Sequence, residues 1–202
     1  MKANFKKPTA LLAIIAFAAA APGLWAADTT ALLGELNSTA KTTGDSTLSS
    51  LAGDLGTKVQ SLTKSLGGNA DANAQLQSAV QSLLGNKGVE SLDALQKLGQ
   101  AKLTPEQTKL AKEVKNIGGA YIVQKNFSSL DGSQTEVAQV VNSLRKGDTA
   151  NALPPLKKIS ENAKLTQPQK DLLTSVANRY APGAAKAEGA LKSIKSLPGF
   201  GK

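Results

Sequence analysis

The sequence predicts an all-α protein, a helical-hairpin repeat array or an irregular helical bundle behind a cleaved N-terminal signal peptide. Three observations predict it. Apolar residues recur at spacings of three and four along nearly the whole chain, the mark of amphipathic helices. One stretch occurs twice, as AKLTPEQTKLAKEVKN at 101–116 and AKLTQPQKDLLTSVAN at 163–178. Residues 1–26 have the build of an export signal rather than of a folded segment.

That signal has three parts. Lys2, Lys6 and Lys7 make a basic start, Ala10 to Ala21 is an uninterrupted apolar run, and Pro22-Gly23 breaks it before Leu24-Trp25-Ala26. Cleavage is expected between Ala26 and Ala27. The run has twelve residues, well short of the roughly 20 that span a bilayer as a helix. No Cys follows the run and no Arg pair precedes it, so a lipoprotein signal and a twin-arginine route are not expected. The expected product is soluble, in the periplasm or outside the cell. The chain has no Cys, so even there it forms no disulfides and packing must stabilise it.

Residues 27–68 read as N-terminal amphipathic helices. A short helix is expected over 29–40, then a turn at Thr42-Thr43-Gly44. Leu48, Leu51, Leu55, Val59, Leu62 and Leu66 form one face of a helix over 46–66. Asp45 or Ser46 is placed to cap it and Gly67-Gly68 to stop it.

Residues 69–130 and 131–183 read as two copies of one unit. The first has a helix from about Asn73 to Leu84, a turn at Gly85-Asn86-Lys87-Gly88, and a helix carrying Leu92, Leu95 and Leu98. A third helix starts at Thr104-Pro105-Glu106-Gln107, where Thr caps, Pro takes the first turn and Gln completes a capping box. The second copy repeats the order with Val137, Val141 and Leu144, then Leu153, Leu156 and Ile159, then Thr166, Leu172, Leu173 and Val176. With one gap, 79–116 aligns with 140–178 at a period of about 61, and about thirteen positions agree. Two places depart from a simple helical reading. Pro154-Pro155 should delay or kink its helix. Residues 121–127, YIVQKNF, have strand propensity but no partner strand, so a continued or broken helix is expected. Gly118-Gly119, like Gly67-Gly68, reads as a helix end.

The segment Gly147-Asp148-Thr149-Ala150-Asn151-Ala152-Leu153-Pro154-Pro155-Leu156 resembles the turn and second helix of a tetratricopeptide repeat. Asn86, Ser91, Leu92 and Leu95 resemble it more loosely. The resemblance implies stacked helical hairpins with a concave face that binds peptides or proteins. The departures are the long period, Ala79 and Val140 where the family has Gly, and an extra Thr-capped helix after each hairpin. No binding residue carries over.

Much chemistry is absent. With no His and no Cys, the usual nucleophilic dyads and the usual zinc, haem and iron–sulfur ligands are missing. No phosphate-binding glycine loop occurs, and no cofactor is expected. Asp45 with Asp54, and Glu90 with Asp93, are the carboxylate pairs a hydrolase would need, and both read as solvated or capping residues. After the signal only Tyr121, Phe127, Tyr180 and Phe200 are aromatic, too few for the usual base-stacking platform, so no nucleic-acid partner is expected.

The formal charge of +9 is concentrated toward the C-terminus. From Lys157 onward there are nine basic and three acidic residues. Residues 184–202 read as a basic helix and tail in which Lys186, Lys192 and Lys195 flank Leu191, Ile194 and Leu197, and Phe200 follows. Lys186, Lys192, Lys195 and Phe200 are the candidate contact residues for a partner or surface. The expectation is a non-enzymatic exported bacterial protein that binds another protein, such as an envelope component or a host surface protein. The alternatives are a cationic binder of an anionic membrane or envelope polymer and, as a minor one, a carboxylate-dependent hydrolase.

Overall fold

A computed structural model of the chain describes residues 24–180. The described residues form eight helices and no strand. In order these are α1 (Leu24–Thr42), α2 (Ser46–Leu66), α3 (Ala70–Leu84), α4 (Gly88–Gln100), α5 (Pro105–Phe127), α6 (Gln134–Lys146), α7 (Thr149–Ser160) and α8 (Gln167–Tyr180). Helix α1 is longer than the expected 29–40, so the bond between Ala26 and Ala27 falls in its first turn. No helix among the described residues is long and apolar enough to cross a membrane.

The organising element is α5. It packs along α2 on one side and α6 on another, and it also touches α4 and α8. Eight consecutive residues, Asn116 to Val123, are buried, so its middle has no solvent face. This explains why YIVQKNF is helical. Its β-branched and aromatic residues lose only a few tenths of a kcal/mol each in helix propensity, against about 1.5–3 kcal/mol for each apolar side chain buried. Gly118-Gly119 is not a helix end but the crossing point of three helices. A Cβ at Gly118 would lie 2.8 Å from Leu95 Cδ1 of α4, and one at Gly119 would lie 2.8 Å from Tyr180 Cε2 of α8. The glycines lower the local helix propensity and let two neighbours approach the α5 backbone.

Around α5 the remaining helices pair as antiparallel neighbours, α3 with α4 and α6 with α7, while α1 lies on α2 and α3. Their ends follow local chemistry. Asp45 Oδ1 accepts from Leu48 N at 2.9 Å and caps α2. Asn69 Oδ1 accepts from Ala72 N at 3.1 Å, which starts α3 three residues earlier than the sequence reading. Gly147, at φ 73°, ends α6 with Asp148 N donating to Ser143 O and Gly147 N to Leu144 O, a Schellman arrangement.

Pro154 and Pro155 lie inside α7, which starts at Thr149 and not late. Asp148 fixes that start by accepting from Asn151 N at 3.3 Å and from Asn151 Nδ2 at 2.6 Å. The prolines sit beyond the first turn, so Ala150 and Asn151 lose the amide donors their carbonyls would otherwise have. Both of those residues are exposed, where water can satisfy the carbonyls, and Pro155 is buried in the core.

Candidate functional site

Two of the helix starts are built alike. Thr104 and Gln107 form a reciprocal capping box on α5, with Thr104 N donating to Gln107 Oε1 at 2.9 Å and Gln107 N to Thr104 Oγ1 at 3.3 Å. Thr166 and Gln169 do the same on α8, at 3.1 and 3.4 Å. Each Gln then uses its amide nitrogen on an earlier helix. Gln107 Nε2 donates to Ser65 O at 2.6 Å, and Gln169 Nε2 donates to Asn126 O at 2.9 Å. Ser65 and Asn126 are the next-to-last residues of α2 and α5. The start of one helix is thereby tied to the end of another, twice.

Two clefts open on the surface of the helices. The larger, about 600 Å³, opens between the turn before α4 and the first turn of α8. Asn86 to Glu90 form one wall, Pro168, Gln169, Asp171 and Leu172 the other, and Asn126 lies among them. Helix α4 is pressed against its neighbours here, since a Cβ at Gly88 would come 2.9 Å from Leu172 Cδ1 and 3.2 Å from Ile122 Cγ2. Its N-cap position is Lys87, which makes no capping hydrogen bond, because an ammonium has no acceptor to offer. The preceding turn is held by Asn86 at φ 57°, with Lys87 N donating to Ser82 O at 2.8 Å. A small chamber of about 10 Å³ shares Asn86, Gly88 and Asn126 with this cleft and is also lined by Tyr121 and Lys125. The Tyr121 hydroxyl is buried and has no hydrogen-bond partner. Burial raises its pKa to about 12. Lys125 Nζ donates to Leu83 O at 3.2 Å, and burial holds its pKa below the usual value.

The second cleft, about 460 Å³, lies between α2, α5 and α6 and is lined by charge. Asp54 pairs with Arg145, and Glu113 with Lys58 at 2.7 Å. These partly exposed pairs join α2 to α5 and α6, and each contributes a modest fraction of a kcal/mol to about 1 kcal/mol.

A third polar cluster closes the end of α8. Tyr180 Oη donates to Lys115 O, Lys115 Nζ donates to Arg179 O at 3.2 Å, and Arg179 pairs with Asp93. The Lys115 ammonium lies 5.2 Å from the Tyr180 ring centroid. Its pKa is lowered, first by burial and then by the Arg179 and Lys112 charges.

The carboxylates that the sequence paired take different roles in the structure. Asp45 caps α2 and accepts from Gln124 Nε2 at 2.7 Å, whereas Asp54 binds Arg145. Asp93 binds Arg179, whereas Glu90 stands exposed in the first turn of α4. Among the described residues no group of acidic side chains is arranged to hold a metal ion. Lys186, Lys192, Lys195 and Phe200 lie outside the described residues. Sequence reasoning missed the cleft at α4 and the unpartnered hydroxyl of Tyr121. The available signal was Lys87 directly before a helix, where Ser, Thr, Asp or Asn is the ordinary choice. Comparison of the chain with protein-family models, curated proteins and solved structures finds no match.

Proposed function

We propose that the chain is an exported, non-enzymatic helical protein that acts as an interaction module for another protein, with two copies of one helical unit as its scaffold. The carrying observation is the pair of equivalent ties, Gln107 to Ser65 and Gln169 to Asn126, set 61 or 62 residues apart. Matching residues in matching roles are what a duplicated, stacked unit requires. The export reading rests on the basic start and apolar run of residues 1–26. The non-enzymatic reading rests on the missing His and Cys and on Asp45, Asp54 and Asp93 having structural partners. Cross-linking in intact cells with the full chain tests this function. One partner recovered reproducibly is the expected result, and no specific partner across envelope and host fractions would count strongly against it. Mass spectrometry of the exported chain should find Ala27 at its N-terminus.

A second reading is a cationic binder of an anionic membrane or envelope polymer. It is favoured by Lys186, Lys192 and Lys195 alternating with Leu191, Ile194 and Leu197. Vesicles containing phosphatidylglycerol should then bind the chain in a salt-sensitive way, and the Lys186→Gln, Lys192→Gln, Lys195→Gln variant should bind much less. Equal binding by that variant would sink this reading.

A further inference from the structure

We propose that the cleft between α2, α5 and α6 holds an acidic residue of a partner polypeptide, with its carboxylate on Lys146 and its main chain on the side-chain amide of Asn116. This rests on the reading of the chain as a protein-interaction module. Asn116 is the first observation. It lies at the middle of α5, is 8% exposed and lines the cleft. Among the described residues nothing hydrogen-bonds its side-chain amide. That amide reaches to the end of α6, since a Cβ at Gly147 would stand 2.8 Å from Asn116 Nδ2. A polar group so nearly buried costs stability until a partner satisfies it. Unlike the Tyr121 hydroxyl, the amide is not fully occluded, and the cleft is where it meets solvent.

The second observation is the charge around it. Asp54 pairs with Arg145 and Glu113 with Lys58, so both carboxylates of the cleft are matched. Lys146, exposed at the last position of α6, lines the same cleft and pairs with no carboxylate among the described residues. It directly precedes Gly147, the residue that Asn116 Nδ2 approaches. The unmet demand is one anion together with a group that both donates and accepts, because an Asn amide does both. A peptide unit donates through N–H and accepts through C=O, and an Asp or Glu side chain beside it supplies the anion. A phosphate dianion brings its oxygens toward the Asp54 and Glu113 carboxylates, whereas a peptide brings a neutral N–H. The cleft, about 460 Å³, has room for one side chain and its flanking peptide groups. The formal charge of +9 draws an acidic partner toward the chain.

The test uses the full chain labelled with ¹⁵N and the peptide acetyl-Ala-Asp-Ala-amide as probe. Saturable shifts of the Asn116 side-chain amide and of the Lys146 and Gly147 main-chain amides are expected. Replacing the probe by acetyl-Ala-Asn-Ala-amide, or Lys146 by Gln, should each weaken binding about three- to fivefold. Asn116→Ala removes no side-chain bond within the described chain, so it should keep its helical circular dichroism and bind the Asp peptide about tenfold more weakly. Lys87→Gln makes the same charge change at the other cleft and should leave the affinity unchanged. Absence of saturation, equal binding of the Asn peptide, tighter binding of inorganic phosphate, equal losses in Lys87→Gln and Lys146→Gln, or full affinity in Asn116→Ala would each overturn the site. If Asn116→Ala loses its helicity, the Lys146→Gln and Lys87→Gln pair decides alone. A partner that cross-links equally to the chain carrying Asn116→Ala and Lys146→Gln would overturn this site and leave the interaction reading standing. No partner at all on the unaltered chain would remove the reading itself.

Discussion

Gly119 of α5 and Tyr180 of α8 fit together as backbone and ring: a Cβ at 119 would stand 2.8 Å from Tyr180 Cε2. Tyr180 is 4% exposed, and its hydroxyl donates to the carbonyl of Lys115, which lies one turn before Gly119 on α5. Tyr180 thus fixes both the distance and the rotation of α8 on α5. Gly119→Ala improves helix propensity by about 1 kcal/mol but forces the ring out of its seat. The net expectation is a loss of about 1–3 kcal/mol in urea unfolding. Gly53→Ala in α2 is the control. Nothing lies within 4 Å of a Cβ there, so it should gain about 0.5–1 kcal/mol. A stabilised Gly119→Ala protein would show that the ring does not set the packing.

The Gln ties give a second prediction. Gln107→Ala and Gln169→Ala each remove half of a capping box and a hydrogen bond to another helix. Each should cost about 1–2 kcal/mol, more than a cap alone on an exposed helix. Thr108→Ala is a fair comparison, because its hydroxyl only bonds back to Thr104 O within the helix. Equal losses at all three positions would mean that the bonds to Ser65 and Asn126 contribute nothing.

These two cases mark what the sequence carries and what it does not. The Thr-Pro-Glu-Gln start of α5 is legible because a capping box is local, set by residues three apart. The second bond of Gln107 is not, because Ser65 lies 42 residues away. The 46–66 helix is legible in full, since its period, its cap at Asp45 and its stop at Gly67 all agree. Gly118-Gly119 misleads for a physical reason. Glycine is chosen both for helix ends and for close backbone approach, and local sequence does not distinguish them. The α4 cleft is hidden for a related reason. Its wall residues come from three separate segments of the chain, 86–90, Asn126 and 168–172, which no local pattern brings together.

Pro154 supplies a third prediction. It is exposed on α7 and withholds a donor from Ala150 O, while Asp148 and Asn151 fix the helix start without it. Pro154→Ala restores one backbone hydrogen bond and removes a ring that crowds the previous turn. Part of that gain is offset because the unfolded chain becomes more flexible. The expectation is a stabilisation of about 1–2 kcal/mol by urea unfolding. Pro155→Ala should do worse, since Pro155 is buried and its removal leaves a hole in the core. The opposite order would mean that the prolines and not the Asp148 cap hold α7 in place.

The two tyrosines, the only ones in the chain, make the alkaline limb of stability measurable. Burial raises the Tyr121 pKa to about 12, and burial also raises that of Tyr180, against partial relief from its hydrogen bond and from Arg179. An unfolded tyrosine titrates near pH 10. For a group whose folded pKa lies above the unfolded one, the stabilisation is complete below about pH 10. It declines as the pH climbs from there through the folded value. The lowered pKa values of Lys115 and Lys125 act in the opposite sense, favouring the folded state as those amines lose their protons. Absorbance at the tyrosinate band separates the two effects, because lysine is silent there. The folded chain should show almost no tyrosinate at pH 11, where the chain in urea shows most of it. The band should then appear together with loss of helical circular dichroism. Tyrosinate appearing near pH 10 with helicity intact would mean that at least one hydroxyl reaches solvent, and Tyr121→Phe would identify which.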